Sequence, residues 1–456
     1  MIKDIIKKDD DFYFKCFNCG TVYPIEKGRY LCDECSKKQE KGKPLSGLLM
    51  VEFSTSYIDK IKESFSIDYK NINFSNNQND KSDIEEKRSE QIFSIPIKPF
   101  FPFDNLPDLP IGNTPIIKVK KLEQILGISS LYLKWEGVNL SGSFKDRASI
   151  LVSAAAKEFN EENIVVASTG NAASSMAAIG AANSQNIYIF APKNAPIGKL
   201  AQILQYGAKL FLINGSYDDA FDLSMEFSNQ TGFFSRNTGY NPFTIEGKKS
   251  VAFELLLKDK GYFNKNFEHP LPFNTFDIIL VPVGDGVILS GLIKGFLDLQ
   301  KFGFIEKLPV VIGVQAEGSS YIYKAFNDGI FSDNYNSQTI ADSISVNSPR
   351  CGYMAIDLVK KTNGFFITVD DQEILEAQHL LAKTTGVFAE PSSASTIAAI
   401  FKENKIFKDK NVVALITGHG LKDINSALKI IEKPDPIKND FDAVMDYFKK
   451  IKKIKK

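Results

Sequence analysis

Short apolar runs recur along this chain, separated by longer stretches with helical spacing. In Leu131-Tyr132-Leu133-Lys134-Trp135 apolar and polar positions alternate, which is the period of a strand with one wet face. Asn139-Leu140-Ser141-Gly142-Ser143 follows with turn and helix-start residues, and the alanine-rich pattern from Phe144 to Phe159 predicts a helix. Further strands are expected at Ile164-Val165-Val166, Ile187-Tyr188-Ile189-Phe190, Lys209-Leu210-Phe211-Leu212-Ile213, Ile278-Ile279-Leu280-Val281, Val310-Val311-Ile312-Gly313-Val314 and Val412-Val413-Ala414-Leu415-Ile416. Strand and helix alternate in this way beyond Thr114. That order predicts an α/β fold of mostly parallel sheets covered by helices, with ligands at the C-terminal ends of strands.

Outside this region the pattern fades. From Ser54 to Gln91 the chain is rich in Asn, Lys, Asp, Glu and Ser, too polar to bury much apolar surface, so residues 54–95 read as a linker or insertion. Prolines at 96, 99, 102, 107, 110 and 115 favour an extended segment wrapping the core. The expected division is therefore a cysteine-bearing segment at 1–53, the linker at 54–95, a core at 96–436 and a lysine-rich tail at 437–456. Six lysines stand in the last eight residues, a pattern of a solvated helix end.

At 456 residues there is ample chain for a large core, and 55 basic residues balance 55 acidic ones. That balance gives no basis for nucleic-acid binding. With no apolar run of membrane-spanning length and no apolar signal segment after Met1-Ile2-Lys3-Asp4, a cytoplasmic protein without membrane attachment is expected. Five cysteines are few, and four fall in two Cys-x-x-Cys pairs, Cys16/Cys19 and Cys32/Cys35, with twelve residues between the pairs. Each pair sits in a polar turn, the second beside a short aromatic strand at Arg29-Tyr30-Leu31, as in a zinc ribbon that presents four thiolates to one structural Zn²⁺. Inert reduced thiols or a redox pair are the alternatives.

Four strand-to-helix turns carry the chemistry. Ser143-Phe144-Lys145-Asp146-Arg147 places a lysine at a helix start, where nearby N–H groups and the helix dipole disfavour its charged form. A neutral amine is what a carbonyl-bonding lysine needs. Ser168-Thr169-Gly170-Asn171 opens a small-residue helix with hydroxyls and N–H groups suited to an anion. Val283-Gly284-Asp285-Gly286-Val287 has the glycine turn that cradles a phosphate, and Thr417-Gly418-His419-Gly420 is the fourth turn. A solvated lysine or a plain capping turn explains any one of them alone.

Taken in order, and with Ile111-Gly112-Asn113-Thr114-Pro115, Gly198-Lys199-Leu200, Glu246-Gly247-Lys248-Lys249 and Gly386-Val387-Phe388-Ala389-Glu390-Pro391, these motifs resemble the threonine synthases. Those enzymes lie within the fold type II, tryptophan synthase β-like family of pyridoxal-phosphate enzymes. The resemblance implies two three-layer lobes, with the smaller, movable one at about 144–241, and a small N-terminal zinc ribbon. It implies pyridoxal 5'-phosphate bonded to Lys145, which also serves as the base at Cα. Gly284, Asp285, Gly286, Val287 and Ile288 would receive the cofactor phosphate, Asn171 the ring oxygen, and Thr417 the ring nitrogen. Ser168, Thr169 and Asn171 would hold the carboxylate of a small amino-acid substrate, and Lys199 a substrate phosphate.

The implied reaction turns O-phosphohomoserine and water into threonine and phosphate, and a homodimer is the expected assembly. The pattern departs at Thr244, where many threonine synthases carry an arginine, and at Asp285 and Ala172, which replace an amide and a hydroxyl. Arg236, Lys248 or Lys249 are the candidates to compensate. A threonine or serine ammonia-lyase, or a β-replacement enzyme on O-phosphoserine resembling cysteate synthase, remains open, whereas a non-enzymatic binding protein of the same fold would be expected to lose Lys145 or the phosphate turn, and both are kept. His419, in the Thr417 turn, is the histidine expected nearest the cofactor.

Overall fold

The computed structural model describes residues 10–70, 100–168, 170–193, 197–256, 276–332 and 335–454. Three strands near the N-terminus, β1 (Phe12–Cys16), β2 (Val22–Tyr23) and β3 (Leu49–Phe53), form an antiparallel sheet in the order β2-β1-β3. β4 (Ile116–Lys118) and β5 (Ser130–Trp135) start a second sheet. β6 (Asn163–Ala167), β7 (Asn186–Pro192), β8 (Lys209–Ile213) and β9 (Phe234–Ser235) make a third, all parallel, in the order β8-β7-β6-β9. β10 (Ile278–Pro282), β11 (Val310–Ala316), β12 (Phe366–Val369) and β13 (Asn411–Ile416) complete the second sheet, ordered β12-β11-β10-β13-β5-β4. Only the edge pair β4–β5 in it is antiparallel.

Parallel strands covered on both faces lose the wet side that an alternating sequence suggests. β5 is buried at every position, Lys134 included. The Lys134 amine is accommodated because it donates to Glu254 Oε2 at 2.7 Å and to the Thr114 carbonyl at 2.6 Å. The helix expected from Phe144 runs from Asp146 to Glu158, and its buried face packs against the helices that start at Asn171 and Phe243.

The N-terminal sheet shares one hydrophobic core with both larger sheets, through contacts such as Phe14 on Phe243, ring centroids 5.4 Å apart. Polar contacts secure it too: the Ser235 N–H donates to Tyr30 Oη at 2.8 Å, and the Leu45 N–H to the Arg350 carbonyl at 3.0 Å. The strand expected at Arg29-Tyr30-Leu31 is reduced to a single bridge, Leu31 with Leu48, since Tyr30 turns instead onto β9. Residues 55–70, expected within the polar linker, form a helix, Thr55–Lys70. Tyr57 and Ile61, one turn apart, are buried in the core and give that helix its reason to form. The remainder of the linker lies outside the described residues. The lysine-rich end forms the helix Phe441–Ile454, whose described side chains are exposed or half-exposed. Among the described residues no helix is long and apolar enough to cross a membrane.

Candidate active site

β5, β10 and β13 are neighbours in the large sheet, and the turns after them meet at one cavity. Lys145, Gly284, Asp285, Gly286, Val287, Ile288 and Thr417 all line it. The first and last turns are locked together: Ser143 bridges Gly418, and the Phe144 N–H donates to the Thr417 carbonyl at 2.8 Å.

Lys145 stands at the N-cap of the helix Asp146–Glu158, held from both flanks. Asp146 accepts hydrogen bonds from the Ser141 hydroxyl at 2.6 Å and the Ser141 N–H at 2.7 Å. Arg147 forks onto two carboxylates, with Nε to Glu136 at 2.7 Å and Nη1 to Glu254 at 2.5 Å. Among the described residues the Lys145 amine itself has no hydrogen-bonded partner. Burial pushes its pKa down; Asp285 opposes that, the Arg236 charge adds to it, and Glu390 opposes it. The neutral form is therefore accessible.

In the same cavity the Gly284–Gly286 turn leads into the helix Val287–Lys301, which has no side-chain cap. A Cβ at Gly284 would come within 2.9 Å of Ile344 Cα, and Gly286 has φ of +81°, so both positions call for glycine. The N–H groups of Val287, Ile288 and Leu289 are left for an anion. The Asp285 carboxylate accepts the Arg350 N–H at 3.2 Å. Burial raises its pKa, against the pull of Arg350, Lys145 and Lys248. The charge that would repel a phosphate is thereby reduced.

The Thr417 hydroxyl is 3.0 Å from the Ser393 hydroxyl, which also accepts the Gly418 N–H at 2.9 Å. A lysine amine, a neutral hydroxyl and a phosphate-sized glycine cradle around one cavity fit pyridoxal 5'-phosphate.

Other expected site residues stand differently. Asn171 heads the helix Asn171–Ala182 and donates to Glu390 Oε2 at 2.9 Å and to the Ser343 hydroxyl at 3.3 Å. It touches two cavity-lining side chains rather than lining the cavity itself. The Ser168 hydroxyl accepts the Gly170 N–H at 3.1 Å. Thr169 lies outside the described residues; Lys199 falls in the helix Ile197–Gln205, and its side chain is outside them too. Lys249 is committed elsewhere, paired with Glu246 and with Asp298 at 3.1 Å. His419 packs on Trp135 with ring centroids 5.6 Å apart, and its Nδ1 accepts the Leu421 N–H, so it shapes the turn and does not line the cavity.

The sequence alone gave no role to Glu390, Ser343, Ser392 or Thr238, all of which line the cavity. Glu390 had two signals, its place in the Gly386–Pro391 motif and its position before the proline that opens the helix Pro391–Lys402.

Outside this cavity, the Sγ atoms of Cys16, Cys19, Cys32 and Cys35 all lie within 4.8 Å of one another, with Cys19 and Cys32 3.7 Å apart. A tetrahedron of metal–thiolate bonds of about 2.3 Å has edges of about 3.8 Å, so the set can hold a metal ion. Gly47 passes behind it, where a Cβ would come within 3.1 Å of Cys35 Cβ and 3.2 Å of Cys32 Cβ.

These features define an enzyme that uses pyridoxal phosphate. The chain belongs to the family described as "Pyridoxal-phosphate dependent enzyme", which matches residues 108–418. Within it, the chain is similar to the threonine synthase of Methanocaldococcus jannaschii, 33% identical over 446 residues that span 96% of this chain and 99% of that one. A threonine synthase of Bacillus sp. (strain ULM1) is 35% identical over 353 residues, 76% of this chain and 94% of the other. Among solved structures, threonine deaminase isoform 2 from Solanum lycopersicum superposes with a TM-score of 0.57 at 21% identity, covering 74% of this chain and 85% of that one. At that identity the likeness speaks for the fold.

Proposed function

We propose that the chain is a threonine synthase, converting O-phosphohomoserine and water to threonine and phosphate. The observation that carries this reading is similarity to a threonine synthase along nearly the whole chain. The cavity agrees in its chemistry. Pyridoxal phosphate, when bound, withdraws electrons from the Cα of an attached amino acid.

The chain's residues do the rest. Lys145 would hold the cofactor carbonyl, and its neutral amine is the group placed to take the Cα proton of the substrate. The same amine then moves a proton at Cβ. The Cγ–O bond breaks, phosphate leaves, and water adds at Cβ as protons return to Cγ and Cα. Gly284, Asp285, Gly286, Val287 and Ile288 would hold the cofactor phosphate, and Thr417, fixed by Ser393, would take the ring nitrogen. A hydroxyl there cannot stabilise a protonated ring as a carboxylate would, which favours elimination and replacement over transamination. Asn171, positioned by Glu390, together with Ser168 and Thr169, would take the ring oxygen and the substrate carboxylate, and Lys199 would hold the substrate phosphate. The division at 1–53, 54–95, 96–436 and 437–456, with a movable lobe at 144–241, belongs to the same reading. Supplying O-phosphohomoserine, O-phosphoserine, threonine and serine in parallel and identifying the products tests it.

Zn²⁺ at Cys16, Cys19, Cys32 and Cys35 is part of this proposal, as a structural ion with four protein ligands and no open position. Cys16→Ser is expected to lower bound zinc from about one ion per chain and to lower the unfolding midpoint. The cofactor absorbance is retained. Metal analysis of the purified variant checks this, and an unchanged zinc content defeats the ribbon.

A further inference from the structure

Buried cations in this protein are paired with carboxylates, as burial demands. Lys134 and Arg147 share Glu254, and Lys249 and Lys294 share Asp298. Two cations break the rule. Arg236, just past β9, and Lys248, in the turn Gly247–Lys249, are both fully buried, and neither has an ion pair among the described residues. Arg236 spends Nε on the Ser149 hydroxyl at 3.2 Å and Nη1 on the Thr238 hydroxyl at 2.5 Å, while Nη2 has no partner. Lys248 Nζ has none either. Thr238 itself lines the Lys145 cavity, so Arg236 stands one contact from it.

Thr244 is not available for the same work. Its hydroxyl accepts the Gly239 N–H at 3.1 Å and donates to the Asn241 carbonyl at 2.7 Å. Lys248 lies four residues on, along a helical path from Phe243, and residues so spaced share a face. A positive group thus stands one turn beyond Thr244.

We propose that Lys248 Nζ and Arg236 Nη2, with the Thr238 hydroxyl, bind the phosphate of the substrate at a site separate from the Gly284–Gly286 turn. The naming of the anion as a substrate phosphate monoester rests on the threonine synthase reading. Two cations match a dianion, and both are already stripped of water, so a phosphate supplies the charge that the fold withholds. Rotation about the four-carbon stem of Lys248 gives Nζ its reach. The field agrees: burial lowers the Lys248 pKa, and the charges of Lys145 and Arg236 lower it further, a mutual repulsion that a bound anion relieves. Asp285, an acid facing this group, is itself pushed toward its neutral form by burial.

The test uses holoenzyme and its Lys248→Gln and Lys248→Arg variants. Loss of one charged contact is expected to raise KM for O-phosphohomoserine and the inhibition constant of inorganic phosphate about 10- to 100-fold. Lys248→Arg recovers most of the affinity. Binding of phosphate-free serine, read from the cofactor spectrum, stays within about twofold. Unchanged phosphate affinity in Lys248→Gln overturns the proposal, as does a parallel loss of cofactor, which would assign Lys248 to the cofactor site. Should wild-type holoenzyme not turn over O-phosphohomoserine, the functional reading fails alone. Calorimetric binding of inorganic phosphate that disappears in Lys248→Gln would still uphold the site, and its persistence would remove it.

Discussion

Lys145→Ala is expected to abolish the visible absorbance of lysine-bound cofactor and to lower turnover by more than about 10⁴-fold, because in the proposed mechanism one amine serves as both carbonyl anchor and base. The fold should survive. Lys145 is half-buried at a helix N-cap and has no hydrogen-bonded partner among the described residues, whereas its neighbours Asp146 and Arg147 carry the anchoring bonds. Borohydride reduction of wild-type holoenzyme followed by peptide mass analysis should mark Lys145, and the variant should give no labelled peptide. A labelled peptide elsewhere, or turnover retained in the variant, contradicts the assignment.

Arg147→Met is expected to be the most damaging substitution for stability. It would leave Glu136 and Glu254, both buried, without the guanidinium that binds each of them through two bonds. Breaking a buried pair of this kind costs about 3–5 kcal/mol, and Arg147→Lys should cost less by retaining charge without the fork. The effect has a pH signature. Burial alone would raise the Glu254 pKa, but Arg147 and Lys134 outweigh it and hold the carboxyl well below the usual carboxylate range. A depressed carboxylate contributes stability above its unfolded pKa and loses it as pH falls through the folded value. Wild-type protein should therefore keep this contribution down to pH values below the ordinary carboxylate range. In Arg147→Met the acid limb of stability should move toward neutral pH. Denaturant midpoints measured between about pH 4 and 7 read this shift, and superimposable acid limbs would contradict it.

What was legible in the sequence was local. Gly284, Gly286 and Thr417 sit in turns directly after apolar strands, and Lys145 at the start of the next helix after β5, so residue type and spacing carry the information. The meeting of those turns at one cavity follows from the order β10-β13-β5 in the sheet. What was not legible depends on contacts between distant segments. Ser393 supports Thr417 from a helix 24 residues earlier in the chain, and Glu390 receives Asn171 across 219 residues. Lys134 looks like the wet face of a strand until Glu254, 120 residues on, is placed beside it. The helix Thr55–Lys70 was hidden because Tyr57 and Ile61 are its deeply buried anchors in an otherwise polar stretch. Among the three cations named as candidates to replace an arginine at 244, only packing separates them: Lys249 is neutralised by Glu246 and Asp298, whereas Arg236 and Lys248 are left without a carboxylate.

The central claim is tested most directly by giving purified holoenzyme O-phosphohomoserine and measuring released phosphate and the amino-acid product together. Threonine and phosphate in equal amounts, both absent with Lys145→Ala, is the predicted result. No phosphate from O-phosphohomoserine, with keto acid formed from threonine or serine or a β-replacement product from O-phosphoserine, would contradict it. Thr244 would then mark a changed substrate on the same cofactor site.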